Sequence, residues 1–148
     1  MKFEVKNELI APAINILQKI KLKGLKSIHR SRLKDLLMTH LDRVGKEEKE
    51  LKEQYAKKDE NGEPILNETE DGQKFYDIEN REDLGKALDE FFNEKVVIDG
   101  GDSQVFLKSV KASLETSDVE WSGQESDYFV QVYDGFIEDK NENESDDV

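Results

Sequence analysis

Cysteine is absent from this 148-residue sequence, which also contains only two prolines and one tryptophan. Without cysteine the chain cannot form disulfides, zinc–thiolate sites or a cysteine nucleophile, and it suits a reducing compartment. No uncharged apolar run approaches the length of a membrane span, and charges are scattered among the first apolar residues. We therefore expect neither a signal peptide nor a membrane-spanning segment, and a cytosolic protein.

Motifs of common catalytic sites are absent too. The sequence contains no GxSxG, HExxH, P-loop or dinucleotide-binding pattern. His29 and His40 are separated by about 16 Å of helical rise, so they cannot share a metal ion, and we expect two ordinary surface or boundary histidines. Asp99 and Asp102 flank two glycines, which is more typical of a strand exit and a helix cap than of a metal site. The sequence predicts no enzyme, no metal site and no cofactor.

One polar segment matches the ligand spacing of an EF-hand calcium loop. The sixth position of such a loop requires glycine for a sharp turn, but here it is Pro64, whose ring forbids a positive φ. We favour a plain β-hairpin, with calcium binding as the less favoured alternative. The matching positions are Asp59, Asn61, Glu63, Ile65, Asn67 and Glu70.

Two short core strands are predicted from the apolar pattern. Alternation over Met1–Lys6 has period two, which indicates a half-buried strand. The β-branched run in Lys95–Asp99 indicates a second strand, which we expect to pair with the first in a two-stranded core sheet. Turn signals predict a separate small hairpin between residues 63–67 and 73–77.

Helical spacing covers most of the remaining chain. A first helix is predicted from about Ala11, with Gly24 ending or bending it, and a long one from Leu25 to about Lys58 with a weak point or kink at Gly45. Three further helices are predicted, the first at Arg81–Asn93. The second begins after Asp102 or Ser103, and its apolar face consists of Phe106, Leu107, Val110 and Leu114. The third begins after Ser122, and its core-facing doublets are Tyr128/Phe129, Val132/Tyr133 and Phe136/Ile137.

These elements predict an α+β fold dominated by helices. We expect a single domain over residues 1–138, from which residues 45–93 protrude as a helical hairpin with the small β-hairpin at its tip. The polar residues 139–148 are predicted to form a disordered acidic tail. The long helix carries a heptad seam that can pair helices within one chain or between two chains. Its members are Leu37, Leu41, Val44, Leu51 and Tyr55.

Charge is distributed unevenly along the chain. The net charge is −13, yet residues 1–60 contain 15 Lys/Arg and 10 Asp/Glu, whereas residues 61–148 contain 7 and 25. Seven cations and no acid lie between positions 19 and 34, where they can bind an acidic protein face or a phosphate backbone. No aromatic residue is interleaved, so base stacking is not supported. This candidate interaction surface, here named the basic segment, comprises Lys19, Lys21, Lys23, Lys26, Arg30, Arg32 and Lys34.

Three segments of the sequence carry a family resemblance. They are KLKGLKSIHRSRL, EEKELKEQYAKKDENGEP and NEKVVIDGGDSQVFLKSVKASLE. With them the chain, from Met1 to about Ile137, resembles a family of small proteins of unknown function encoded by phages and prophages of Gram-positive bacteria. The resemblance implies expression in a bacterial cytoplasm and a role in virion assembly, lysis timing or interference with the host. It brings no catalytic residue and no cofactor.

Together these observations predict a non-catalytic phage protein that binds another protein, either a phage structural protein or a host enzyme. It is expected in the host cytoplasm, with virion association left open. One alternative is an acidic mimic of nucleic acid that inhibits a host defence enzyme, based on residues 61–148. A second is a nucleic-acid binder that uses the basic segment, although we consider nucleic acid a less favoured partner. Self-association through the heptad seam is a further option.

Overall fold

The computed structural model describes residues 1–139, and its fold is α+β and mainly helical, as the sequence predicts. The predicted tail, 139–148, lies outside the described residues except for Asp139. In chain order the strands and α-helices are β1 (Lys2–Lys6), α1 (Ile10–Lys19), α2 (Leu25–Tyr55), β2 (Leu66–Glu68), β3 (Lys74–Tyr76), α3 (Arg81–Asn93), β4 (Lys95–Ile98), α4 (Ser103–Glu115), α5 (Gln124–Asp134) and β5 (Phe136–Ile137), and a 3-10 turn, Asn7–Leu9, precedes α1.

The chain divides into two compact units. The first comprises Met1–Leu41 together with the chain from Lys95 onward, and the second comprises Asp42–Glu94. Helix α2 begins in the first unit and ends in the second. The predicted hairpin, residues 45–93, falls inside the second unit, and its protrusion from a single domain stays a prediction.

The core of the first unit is a three-stranded antiparallel sheet in the order β4-β1-β5. Phe3 pairs with Ile98 on one side and with Phe136 on the other. Alternate residues of β1 are buried, as period two requires, and the rings of Phe3 and Phe136 pack with their centroids 4.5 Å apart. The predicted pairing of the first two strands is confirmed.

The third strand, β5, corrects the prediction that Phe136 and Ile137 continue the last helix. Helix α5 ends at Asp134, and Gly135 then passes so close to β1 that the N–H of Glu4 donates to the Gly135 carbonyl at 2.9 Å. A Cβ atom at position 135 would lie 2.5 Å from the carbonyl oxygen of Glu4. Only glycine fits this approach, and it allows the chain to leave the helix and join the sheet.

The helices of the first unit pack around this sheet. Helix α1 starts one residue before the expected position, with Pro12 in its first turn, but it ends at Lys19 and not at Gly24. Gly24 instead adopts a positive φ of 63° immediately before α2. Helix α1 contacts α5, and α4 contacts β1. The apolar face predicted for α4 is confirmed, because Phe106, Leu107, Val110 and Leu114 are all buried.

Helix α5 differs from its prediction in a second way. Of the doublet residues within the helix only Val132 is buried, and Tyr128, Phe129 and Tyr133 stay partly exposed. The reason is a local aromatic stack, in which Phe129 lies 5.2 Å from Trp121 and 6.2 Å from Tyr133 between ring centroids. These rings cover one another at the surface, so the helix contributes less to the core than its periodicity indicates.

The second unit is built on the end of α2. This helix continues through Gly45 without interruption. Strands β2 and β3 form the predicted antiparallel hairpin, and a bridge between Ala56 and Ile78 joins it to the segment after α2. The hydroxyl of Tyr76 donates to Glu53 at 2.8 Å, which ties β3 to the last turns of α2. Helix α3 has the bounds predicted from the sequence.

Candidate protein-interaction surface

The structure divides the basic segment into cations used inside the chain and cations that face solvent. Lys19, at the end of α1, forms an ion pair with Glu125 of α5. The guanidinium of Arg30 donates to the carbonyls of Leu17, at 3.1 Å, and of Ile20. The first carbonyl lies in the last turn of α1 and the second at the residue after it, where acceptors have no partner within the helix. Arg30 therefore holds α1 against α2.

The other five cations form no ion pair within residues 1–139, and only Lys34 is partly covered. The first turn of α2 contains no acidic residue, and Asp35 is the one acid between Leu25 and Leu41. The positive end of the helix dipole therefore adds to these charges. The five are Lys21, Lys23, Lys26, Arg32 and Lys34.

An exposed apolar stripe on α2 accompanies these cations, and it is not among the surfaces predicted from the sequence. Leu25 is 62% exposed, Ile28 50% and Leu36 40%. Steps of three and eight residues place the three side chains on one face of a helix with 3.6 residues per turn, and Arg32 lies between Ile28 and Leu36 on the same face. We name Leu25, Ile28, Arg32 and Leu36 the α2 stripe.

The opposite face of α2 explains why the stripe is exposed. Leu33 and Leu37 are fully buried in the first unit, and Val44 is buried in the second. The buried side of α2 therefore follows part of the heptad seam. Residues that lie about 100° away from that side, measured around the helix axis, cannot reach the same core. The signal was present in the sequence as apolar residues that fall outside the seam.

His29 corrects another expectation. Its side chain is buried, not at the surface or the boundary, and its Nδ1 atom has no hydrogen-bond partner among the described residues. It follows Ile28 on α2 but points to the core side with Leu33. His40 is partly exposed, as expected.

The EF-hand-like segment has the geometry of a turn. The carboxylate oxygen Oδ1 of Asp59 accepts the backbone N–H groups of Asn61, at 2.8 Å, and Glu63, at 3.0 Å. The carbonyl of Asp59 also accepts the N–H of Gly62 at 3.0 Å. Asp59 thus organises the hairpin connection. In residues 1–139 no group of three or more His, Asp or Glu side chains is placed to hold a metal ion.

No helix in the part of the chain described here combines the length and apolar character of a membrane span.

The comparison with known proteins gives a family. No curated protein and no solved structure matches the sequence. A family model does match, over residues 1–143, and its description is protein of unknown function (DUF1617). The match covers nearly the whole sequence, and the chain belongs to this DUF1617 family.

Proposed function

We propose that this chain is a phage-encoded, non-catalytic protein-interaction module that binds a protein partner through the α2 stripe and the cations around it. Its place of action is the cytoplasm of a Gram-positive host, where it serves in virion assembly or as an accessory protein. The resemblance to phage and prophage proteins supports the context, and the exposed surface of α2 supports the mode of action.

The observation that carries the proposal is the combination of three exposed apolar side chains and one cation on a single helix face. Single exposed hydrophobic residues are common on protein surfaces. An apolar stripe over three turns is less common, and contiguous apolar patches rimmed by polar groups mark interaction sites. Burial of Leu25, Ile28 and Leu36 against a partner removes apolar area from water, at about 25 cal/mol per Å².

The same surface favours a protein over a nucleic acid. Phosphate backbones are bound mainly through Lys and Arg, and apolar side chains add little to that contact. Here Lys19 and Arg30 are already used within the chain, and three of the four side chains of the α2 stripe are apolar. An acidic protein surface with apolar side chains satisfies both parts of this face.

Affinity capture from phage-infected host cells tests the proposal. The wild-type chain is compared with a triple variant, Leu25→Ser, Ile28→Ser and Leu36→Ser, and with a control, Val105→Ser and Val130→Ser, which changes two equally exposed residues elsewhere. We expect the wild type and the control to retain one phage or host protein that the triple variant loses. Equal capture by all three, or a gel shift of duplex DNA at physiological salt, contradicts the proposal.

A further inference from the structure

We infer that the partner contributes an acidic amphipathic α-helix, which packs lengthwise along the α2 stripe. This inference rests on the proposed function and specifies the partner's chemistry.

The spacing of the stripe indicates a helix as the occupant. Leu25, Ile28, Arg32 and Leu36 are separated by three, four and four residues, a total of eleven. Eleven residues make three helical turns with little angular drift, so the side chains line up almost parallel to the axis of α2 over about 16 Å. A second helix can follow such a line at about 8–10 Å between axes.

An extended peptide would form fewer favourable contacts with the α2 stripe than a helix. Peptides that bind as strands obtain their affinity from backbone hydrogen bonds to an open sheet edge. The stripe lies within a regular helix, Leu25–Tyr55, whose backbone groups bond to one another. Side chains alone must then supply the contact, which is how helices bind in grooves and on helix faces.

Charge determines the character of that helix. Arg32 lies within the stripe, is exposed, and has no ion pair in residues 1–139. Lys23 and Lys26 flank Leu25 in the sequence and are exposed as well. Asp or Glu residues beside the partner's apolar seam would therefore face cations, whereas Lys or Arg at those positions would be repelled. The contact is small, so we expect micromolar affinity.

A designed peptide tests this chemistry directly. The probe is an 18-residue helix with Leu at alternating three- and four-residue steps and Glu elsewhere on the flanks, labelled for fluorescence anisotropy. Two control peptides are used, one with the same composition in shuffled order and one with Lys in place of Glu. The full-length chain is titrated as wild type and as the variants Ile28→Ser, Leu36→Ser, Arg32→Ala and Val105→Ser.

We expect the Glu peptide alone to bind. The substitutions Ile28→Ser and Leu36→Ser should each weaken binding by about fivefold or more, as for the minority of interface residues whose truncation has a clear effect on affinity. Arg32→Ala should weaken it and reduce its salt dependence, and Val105→Ser should leave it unchanged, with unfolding curves showing that each variant is folded. Equal binding of the shuffled peptide, tighter binding of the Lys peptide, or an effect of Val105→Ser as large as that of Ile28→Ser overturns the inference.

One result separates the inference from the proposed function. If the Glu peptide does not bind, but capture of a cellular protein still requires Leu25, Ile28 and Leu36, the acidic helix is overturned and the interaction surface stands. If the capture also becomes independent of these residues, both fail.

Discussion

Arg30 and Arg32 are two residues apart on one helix, yet the structure gives them different roles. Arg30 bonds to the carbonyls of Leu17 and Ile20, whereas Arg32 is exposed. We expect Arg30→Ala to lower the free energy of unfolding by about 1–3 kcal/mol, because two acceptors lose a charged donor. Arg32→Ala should change it by less than about 0.5 kcal/mol. Urea unfolding measures both, and equal losses would contradict the assignment.

Two glycines offer a second matched pair. Gly135 has no room for a Cβ atom, which would lie 2.5 Å from the carbonyl of Glu4, whereas nothing lies within 4 Å of a Cβ atom at Gly45. We expect Gly135→Ala to destabilise the fold by about 2 kcal/mol or more, since the sheet must shift. Gly45→Ala should stabilise it by about 1 kcal/mol as a better helix former. A stable Gly135→Ala variant would show that β5 does not need this approach.

Single residues were the hardest scale to predict from the sequence. The sequence does not distinguish the roles of the seven cations of the basic segment. Only the fold shows that Arg30 bonds to carbonyls at the end of α1, whereas Arg32 faces solvent. Burial of His29 is set by its position on the core side of α2, which depends on partners distant in sequence. The close approach at Gly135 is likewise a property of two elements that no local pattern connects.

At the scale of elements, consecutive residues of α2 lie on its buried face and on its exposed face. Leu37 is fully buried, whereas Leu36 is 40% exposed. Leu37→Ala should cost about 2–5 kcal/mol, because it leaves a cavity in the core. Leu36→Ala should cost less than about 1 kcal/mol, because water already reaches that side chain. Chemical denaturation distinguishes them, and a large loss for Leu36→Ala would mean that the stripe supports the fold and is not free to bind.

Strand β1 carries a pH-dependent pair on its solvent side. The ammonium of Lys2 lies 2.9 Å from the carboxylate of Glu4, and this hydrogen bond lowers the pKa of Glu4 and raises the pKa of Lys2. Because the pKa of Glu4 is lower in the folded state, its contribution to stability is present at neutral pH and disappears as the pH falls through the folded-state pKa.

The test of this pair is a comparison between wild type and Glu4→Gln. We expect the wild type to be more stable at pH 7, and the difference to shrink as the pH falls through the lowered folded-state pKa of Glu4, where the carboxyl takes up its proton. Unfolding in urea across that range measures the difference. A gap that stays constant or widens toward low pH would show that the pair does not stabilise the sheet.

Elements with a strong local period were predicted well. Strands β1 and β4, the hairpin, and helices α3 and α4 follow from alternation, turn residues and apolar spacing. The helix predicted after Ser122 is too long because Phe136/Ile137 continue the four-residue spacing of the preceding doublets across Gly135. A strand of two residues has too short a pattern to compete with that period. The pairing with β1 decides the conformation instead.

The whole molecule is acidic, but the exposed apolar face of α2 overlaps its most basic stretch. The sequence predicts the fold class and the basic segment, because both depend on composition and periodicity. It does not predict the α2 stripe, because a periodic helix offers several apolar lines and only the packed core shows which of them stays uncovered. The candidate surface therefore combines cations found from the sequence with apolar side chains found from the structure.

Site-specific photo-crosslinking in the proposed setting, phage-infected host cells, tests this surface most directly. A photoreactive side chain replaces Ile28 in one variant and Val105, an even more exposed residue on α4, in another. If the α2 stripe is the interaction surface, the probe at position 28 will join the chain to one discrete protein, and the probe at position 105 will not. The same product from both positions, or none from position 28, would contradict the account.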